Sequence, residues 1–246
     1  MDGNNSPLID GDFSRHNDSK KIKQNPKLCD YISVTNTMIK EIPLFPLNLV
    51  VFPGEELNLH IFEPRYKQLI NDCLTNQCTF GIPSYVLTKV EYGTEVKITE
   101  VTKTYEDGRM DIKTEGLGVF NVQNFINPWK DKEYAGGPVE FIDFEDELDP
   151  SLQLKFIELC QDLFEWLHME DELPISVETS MYSVIHKLGL KPEEEYILLK
   201  MKSHKKRQSF IIEHLEQLIP ALERAENAKE KIRMNGHFKH FNPLKF

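Results

Sequence analysis

The sequence predicts an α+β protein: a small, partly closed barrel of short β-strands with one inserted helix, followed by a C-terminal helical bundle. Three observations predict it. Residues 38–145 carry short runs of alternating apolar and polar residues, punctuated by Pro, Gly and Asp turn signals. A single 3.6-period stripe, Tyr66, Leu69, Ile70, Cys73 and Leu74, interrupts those runs. Beyond the charged joint "EDELD" the apolar spacing turns helical and stays so.

The first β element is extended from Ile42 to Leu47, because Pro43 and Pro46 forbid helix and push their predecessors to β or polyproline geometry. Leu49 to Phe52 reads as a short apolar strand. Pro53-Gly54 reads as a type II turn, with Pro fixing φ and Gly supplying a positive φ. In "EELNLHIF", Leu57, Leu59 and Ile61 face one side, and Asn58, His60 and Phe62 the other. Pro64 suits the first position of the inserted helix, which puts Cys73 on its buried face.

Strand returns at "TFGIPSYVL". "TEVKITEVTKTY" and "MDIKT" form a hairpin around Asp107-Gly108. Gly116 and Gly118 break the following run, "VFNVQNF" continues it, and "GGPVEFIDF" closes the β region. Asp149-Pro150 then reads as an N-cap followed by Pro at the first helical position. The helical region carries a helix over 150–168, a second from Ser176 to a stop at Gly189, and a short third opened by Pro192. A long last helix runs from about Ser203 towards Met234, kinked at Pro220, with Ile211, Leu215, Leu218, Leu222 and Ala225 in line. The implied divisions are a disordered or weakly ordered tail over 1–37, a β-barrel domain over 38–145 and a helical domain over 146–246.

The totals exclude several function classes. A chain of 246 residues with 40% hydrophobic content can build a real core. Its formal net charge of −11 argues against nucleic-acid binding by bulk electrostatics. No apolar run approaches the roughly 18 residues of a membrane span, and the N-terminus lacks a signal-peptide core, so a cytoplasmic protein is expected. Cys29, Cys73, Cys78 and Cys160 show no zinc-pair spacing and read as reduced packing thiols.

Catalytic signatures are missing from the sequence. It has no GxxxxGK[ST], no GxSxG and no HExxH, so no nucleotide, cofactor or metal is implied. His237 and His240 stand three apart without a neighbouring carboxylate or Cys pair, and an exposed tail is the simpler reading. The acidic runs "EFIDFEDELD" and "HMEDELP" read as solvated faces. The basic run "KMKSHKKRQ", Lys200 to Gln208, is a candidate patch for a small anion or acidic partner.

Six residues stand out near the inserted helix. Arg65 lies in its first turn, where a cation opposes the dipole, so a tertiary pin to a carboxylate or to carbonyls across the sheet is expected, with ligand contact the alternative. Glu63 is placed to accept a hydrogen bond from His60 or to cap the helix at Pro64. His60 is read as structural, with general base as the alternative. Trp129, in "FINPWKDKEY", is either a lid on the barrel or an exposed anchor for a partner. Phe62, Tyr66 and Trp129 are the candidate partner-binding residues.

"PLFPL" at 43–47, "FPG" at 52–54, "LHIFEPRY" at 59–66, "CLTNQCTFG" at 73–81 and "DGR" at 107–109 together resemble the Lon substrate-binding domain. That domain is the N-terminal part of ATP-dependent Lon protease. The chain looks most like the stand-alone bacterial proteins made of that domain alone, and its ending "NGHFK" is similar to the version found in Bacteroidetes. The resemblance covers about 38 to 235. It implies a PUA-like barrel followed by a helical domain, and a role in recognising protein substrates or partners. It departs from the family's G-x-x-R-F strand, where "GLGVF" places Val119 at the Arg position.

The full-length protease adds an ATPase with a P-loop and a Ser-Lys proteolytic domain. Neither motif occurs here, so no protease or peptidase activity is expected of this chain alone. The resemblance implies unfolded or exposed apolar polypeptide segments as partners, together with a protease or chaperone. Two other classes are set against this reading. A small hydrolase with scattered catalytic residues requires a deep pocket with a His and a carboxylate in contact. An RNA-binding PUA-like protein requires a positive groove.

Overall fold

The computed structural model describes residues 31–34, 37–143, 145–169, 175–176 and 178–237. The β half consists of β1 (Tyr31–Val34), β2 (Thr37–Leu44), β3 (Glu56–Ile61), β4 (Phe80–Pro83), β5 (Tyr92–Thr104), β6 (Met110–Val122) and β7 (Ala135–Phe141). Helix α1 (Pro64–Asn76) is inserted between β3 and β4. The helical half holds α2 (Pro150–Trp166), α3 (Pro192–Leu199) and α4 (His204–His237). Within the stretch expected as a tail, Tyr31–Val34 pairs antiparallel with β2. Residues 1–30 and His240 lie outside the described residues.

The strand pairings close on themselves. β2 pairs antiparallel with β7 and, at Leu44, parallel with β4. β4 pairs with β5, β5 with β6, and β6 with β7. The expected partly closed barrel is therefore a complete five-strand ring, which removes most open edges. β1 and β3 lie outside it, on β2 and β6. Ile42, Leu44, Phe120, Ala135 and Val139 form one buried cluster of the ring. A second cluster packs α1, through Tyr66, Leu69, Ile70 and Cys73, against Ile61, Val96 and Ile112 of the strands.

Local chemistry sets the turns as expected. Gly54 has φ 79°, and Glu55 N–H donates to Phe52 O at 3.1 Å, closing the turn over Pro53-Gly54. Gly108 has φ 78° in the β5–β6 connection. Asp149 caps α2 by accepting from Ser151 N and Leu152 N.

Four expectations need correction. Leu49–Phe52 is not a strand; it is an irregular segment with Val50, Val51 and Phe52 buried. Gly116 and Gly118 do not break β6. The register steps from Glu95↔Gly118 to Val96↔Gly116, so Leu117 bulges out and the strand bends without ending. The helix expected from Ser176 to Leu188 is two short 3₁₀ turns, 181–183 and 185–187. Its start is diverted because Thr179 Oγ1 accepts from Ser176 N and Ser180 Oγ accepts from Tyr182 N, satisfying the backbone outside an α-helix. Finally, α4 buries Ile211 and Leu215, half-buries Leu218 and Leu222, and exposes Ala225 and everything described after it to Met234. Pro220 lies inside the helix, where the sequence places it.

Barrel and helices share one apolar cluster. Val50, Phe52 and Val119 join Phe156, Cys160, Leu163 and Phe164 of α2, Tyr196 and Leu199 of α3, and Ile211 of α4. Burial pushes the Cys160 thiol up to about 12, so it packs as an inert thiol. Cys73 is buried on α1 as the stripe predicted.

Candidate binding surfaces

The end of β3 carries an exposed aromatic side chain, Phe62. Alternation turns His60 outward, and the register sets it opposite Asp111 of β6. His60 Nδ1 lies 2.5 Å from Asp111 Oδ1, and the Tyr105 hydroxyl donates to Asp111 Oδ2 at 2.8 Å. These two hydrogen bonds, His60 first, hold the Asp111 carboxyl below its ordinary range. The His60 ring stacks on Phe62 at 6.0 Å between centroids and meets Tyr105 edge-on at 5.9 Å. Lys103 Nζ and Arg109 Cζ lie 4.4 Å and 4.9 Å from the Tyr105 ring centre. Phe62 remains 59% exposed.

The corner thus presents an open apolar ring within a mixed-charge rim. Beside it, β3 is the last strand of the sheet path and pairs with β6 alone among the described residues. Such an edge offers main-chain N–H and C=O groups to an added strand.

The other candidate contact residues are not at this surface. Tyr66 is 8% exposed and packs on Phe45 at 3.8 Å. Trp129 is 1% exposed and is no exposed anchor. A Cβ on Gly136 would fall 2.2 Å from Trp129 Cδ2, so the indole occupies space that only glycine leaves open. Trp129 N–H donates to Tyr134 O at 3.0 Å, and the Tyr134 hydroxyl donates to Asp72 of α1 at 2.8 Å. Burial, first, and that carboxylate raise the Tyr134 pKa, so the phenol stays protonated. This loop fastens to α1 and fills the barrel side.

Arg65 has a local partner, not the expected tertiary one. Arg65 Nη2 lies 2.8 Å from Glu63 Oε2, and its guanidinium sits 4.5 Å from the Tyr66 ring centre. It does not reach across the sheet. Glu63 occupies the N-cap position of α1 without a side-chain cap bond, and His60 bonds to Asp111 instead of to Glu63. The basic run divides: Arg207 and Gln208 are fully buried, whereas Lys202, Lys205 and Lys206 point outward.

Sequence reasoning missed a second cluster, at the seam between barrel and helices. His186 Nδ1 lies 2.8 Å from Glu195 Oε1 of α3, and Nε2 lies 3.1 Å from Glu55 Oε2 beside the Pro53-Gly54 turn. Glu55 Oε2 also accepts from Phe52 N at 2.8 Å. Hydrogen bonds to Glu195 and then Glu55 raise the His186 pKa to about 10. The imidazolium has both nitrogens engaged and cannot serve as a general base at neutral pH. The His60–Asp111 pair is exposed on a strand surface. Among the described residues no group of three or more His, Cys, Asp or Glu is placed to hold a metal ion. No helix among them is long and apolar enough to cross a membrane.

The matches to known proteins fall on this architecture. The crystal structure of a Lon N-terminal domain protein from Xanthomonas campestris is similar, with 26% identity and a TM-score of 0.54 over 73% of this chain and 97% of that one. The N-terminal domain of the Mycobacterium avium complex Lon protease shares the fold at 13% identity, with a TM-score of 0.56 over 72% of this chain and 99% of that one. No curated protein matches the chain. The model of the ATP-dependent protease La (LON) substrate-binding domain matches residues 41–217. The chain belongs to the LON substrate-binding domain family.

Proposed function

We propose that this protein is a non-catalytic recognition module. It holds exposed apolar segments of other polypeptides and works in the cytoplasm beside a separate protease or chaperone. The observation that carries the reading is the solvent-facing ring of Phe62 at the end of β3, whose outer edge pairs with no strand among the described residues. Family membership supports it, as does the lack of P-loop and Ser-Lys motifs in the sequence.

The chemistry is simple. An extended segment adds its main chain along β3, and alternate side chains rest on Phe62 and Tyr105. Covering the exposed part of one aromatic ring stabilises the complex by about 2–3 kcal/mol before ordering costs. Several such contacts, less the entropy of holding the segment, give affinities on the order of micromolar. Lys103 and Arg109 at the rim tolerate acidic flanks, while the overall charge of −11 favours basic segments at long range.

Fluorescence anisotropy tests this. Labelled α-lactalbumin, reduced and carboxymethylated so that it stays unfolded, should bind in the micromolar range. The native form of the same protein should not. Equal binding of both forms, or of neither, sinks the reading.

A further inference from the structure

The direction of the main-chain groups along β3 follows from its bonds to β6. Gly116 N–H donates to Glu55 O at 2.9 Å, and the Thr114 hydroxyl donates to Leu57 O at 3.0 Å. Both acceptors therefore point towards β6. The register runs without a shift from Glu56↔Glu115 to Ile61↔Met110. Direction alternates along an antiparallel ladder, so Leu57, Leu59 and Ile61 bond to β6. Glu56, Asn58 and His60 occupy the non-hydrogen-bonded pairs, where opposed side chains come closest, as His60 and Asp111 do at 2.5 Å. The N–H and C=O groups of these three residues face the outer edge, which pairs with no strand among the described residues. Their side chains are exposed on one face of the strand. Leu57 and Leu59 are half-buried on the other, against the α1 cluster.

This pattern is self-complementary. An antiparallel partner must set its own outward residues opposite these, so the allowed registers differ by steps of two. For a second β3, the register with its two-fold axis at Asn58 engages all three outward residues of each copy. Glu56 lies opposite the second copy's His60, Asn58 opposite Asn58, and His60 opposite Glu56, with about six main-chain hydrogen bonds. On the other face Leu57 of each copy meets Leu59 of the other, an apolar cross-strand pair made twice. Every other register engages fewer outward residues. Those centred on Glu56 or His60 also oppose like groups, which is unfavourable for the carboxylates.

We propose that the β3 edge pairs with the β3 edge of a second copy of this chain, antiparallel and about a two-fold axis at Asn58. The contact is isologous and joins the two sheets. Continued past the strand end, the register brings Phe62 to the second copy's Gly54, where no atom stands within 4 Å of the Cβ position and the ring has room. A six-residue edge buries little area, and the formal charge of −11 on each copy opposes approach. The dimer is accordingly weak, with Kd on the order of 10–100 μM at physiological salt, where charges more than about 8 Å apart are screened. This pairing does not rest on the polypeptide reading. It covers the same edge, so a second copy and a bound segment exclude each other, and the dimer shields an otherwise open strand.

Sedimentation velocity of the full chain from about 2 to about 200 μM, with no polypeptide added, tests the pairing. The sedimentation coefficient should rise with concentration from monomer to dimer. Asn58→Pro removes one outward N–H per copy and leaves the bonds to β6 in place. It should raise Kd at least about tenfold while far-UV circular dichroism stays that of wild type. Asn58→Cys and Glu56→Cys test the register and keep every main-chain donor. Opposed Cα atoms across the axis lie about 5.5 Å apart, within disulfide reach, whereas position 56 and its symmetry copy are about 13 Å apart. Under mild copper-catalysed air oxidation, peptide mapping should find the two introduced thiols bridged between copies in Asn58→Cys and not in Glu56→Cys. A chain that stays monomeric at about 200 μM overturns the proposal and leaves the polypeptide reading standing. A dimer unaffected by Asn58→Pro, or bridging as ready in Glu56→Cys as in Asn58→Cys, also overturns it.

Discussion

His186 and Glu55, 131 positions apart in sequence, meet at 3.1 Å where the barrel touches the helices. Glu195 holds the other ring nitrogen at 2.8 Å. The seam is thus locked by one imidazolium between two carboxylates, one from each half of the molecule.

That lock is pH-dependent. The folded His186 pKa is raised to about 10, above the ordinary 6.5. Its stabilisation is fully present below pH 6.5 and is lost as pH rises towards 10. The side chain is 38% exposed, so screening trims the effect to about 1 kcal/mol, roughly 2–4 °C in Tm for a chain of this size. Thermal melts at pH 6 and pH 10 should show a larger loss for the wild-type protein than for His186→Gln. Equal losses contradict the lock.

Gly136→Ala should disturb Trp129. The added methyl would sit 2.2 Å from Trp129 Cδ2, so the indole or the loop must move, at a cost of about 1–3 kcal/mol. Tryptophan emission should shift to longer wavelength as Trp129 meets water, over a constant background from half-buried Trp166. Unchanged emission and urea midpoint would contradict this packing.

Lys40 and Glu95 form a buried ion pair at 2.6 Å, bridged by Thr79 Oγ1. Removing Lys40 leaves the Glu95 carboxylate buried without this partner, so Lys40→Met should cost about 3–5 kcal/mol by urea denaturation. The double change Lys40→Met with Glu95→Leu should recover most of it. A double variant as unstable as the single one would show that the pair is not an isolated unit.

How far the sequence carries depends on the range of the interaction. The Pro53-Gly54 and Asp107-Gly108 turns, the Asp149 cap and the α1 stripe were legible, because each depends on residues within a few positions. Barrel closure was legible only in part, since the ring is completed by β7 pairing with β2 about a hundred residues earlier. Trp129 stood out as a large aromatic in a loop, but its burial depends on the close approach of Gly136. Arg207 looked like one cation in a basic run; its burial follows from carbonyls at Leu198 and Met201 that the fold turns back towards it. The His60 partner could not be chosen from spacing, because the β3–β6 register decides between Glu63 and Asp111. Of the proposed recognition corner, Phe62 and His60 were visible, whereas Tyr105 and Asp111 were not.

The account turns on whether Phe62 contacts polypeptide partners, and a matched pair of variants decides it. Phe62 and Leu154 are both 59% exposed, one beside the β3 edge and one on α2. Kd for the unfolded, carboxymethylated α-lactalbumin should rise about fivefold or more in Phe62→Ala, from the loss of roughly 1–2 kcal/mol of apolar contact. It should stay unchanged in Leu154→Ala. An unchanged Kd in Phe62→Ala, or an equal loss in both, would contradict recognition at this corner.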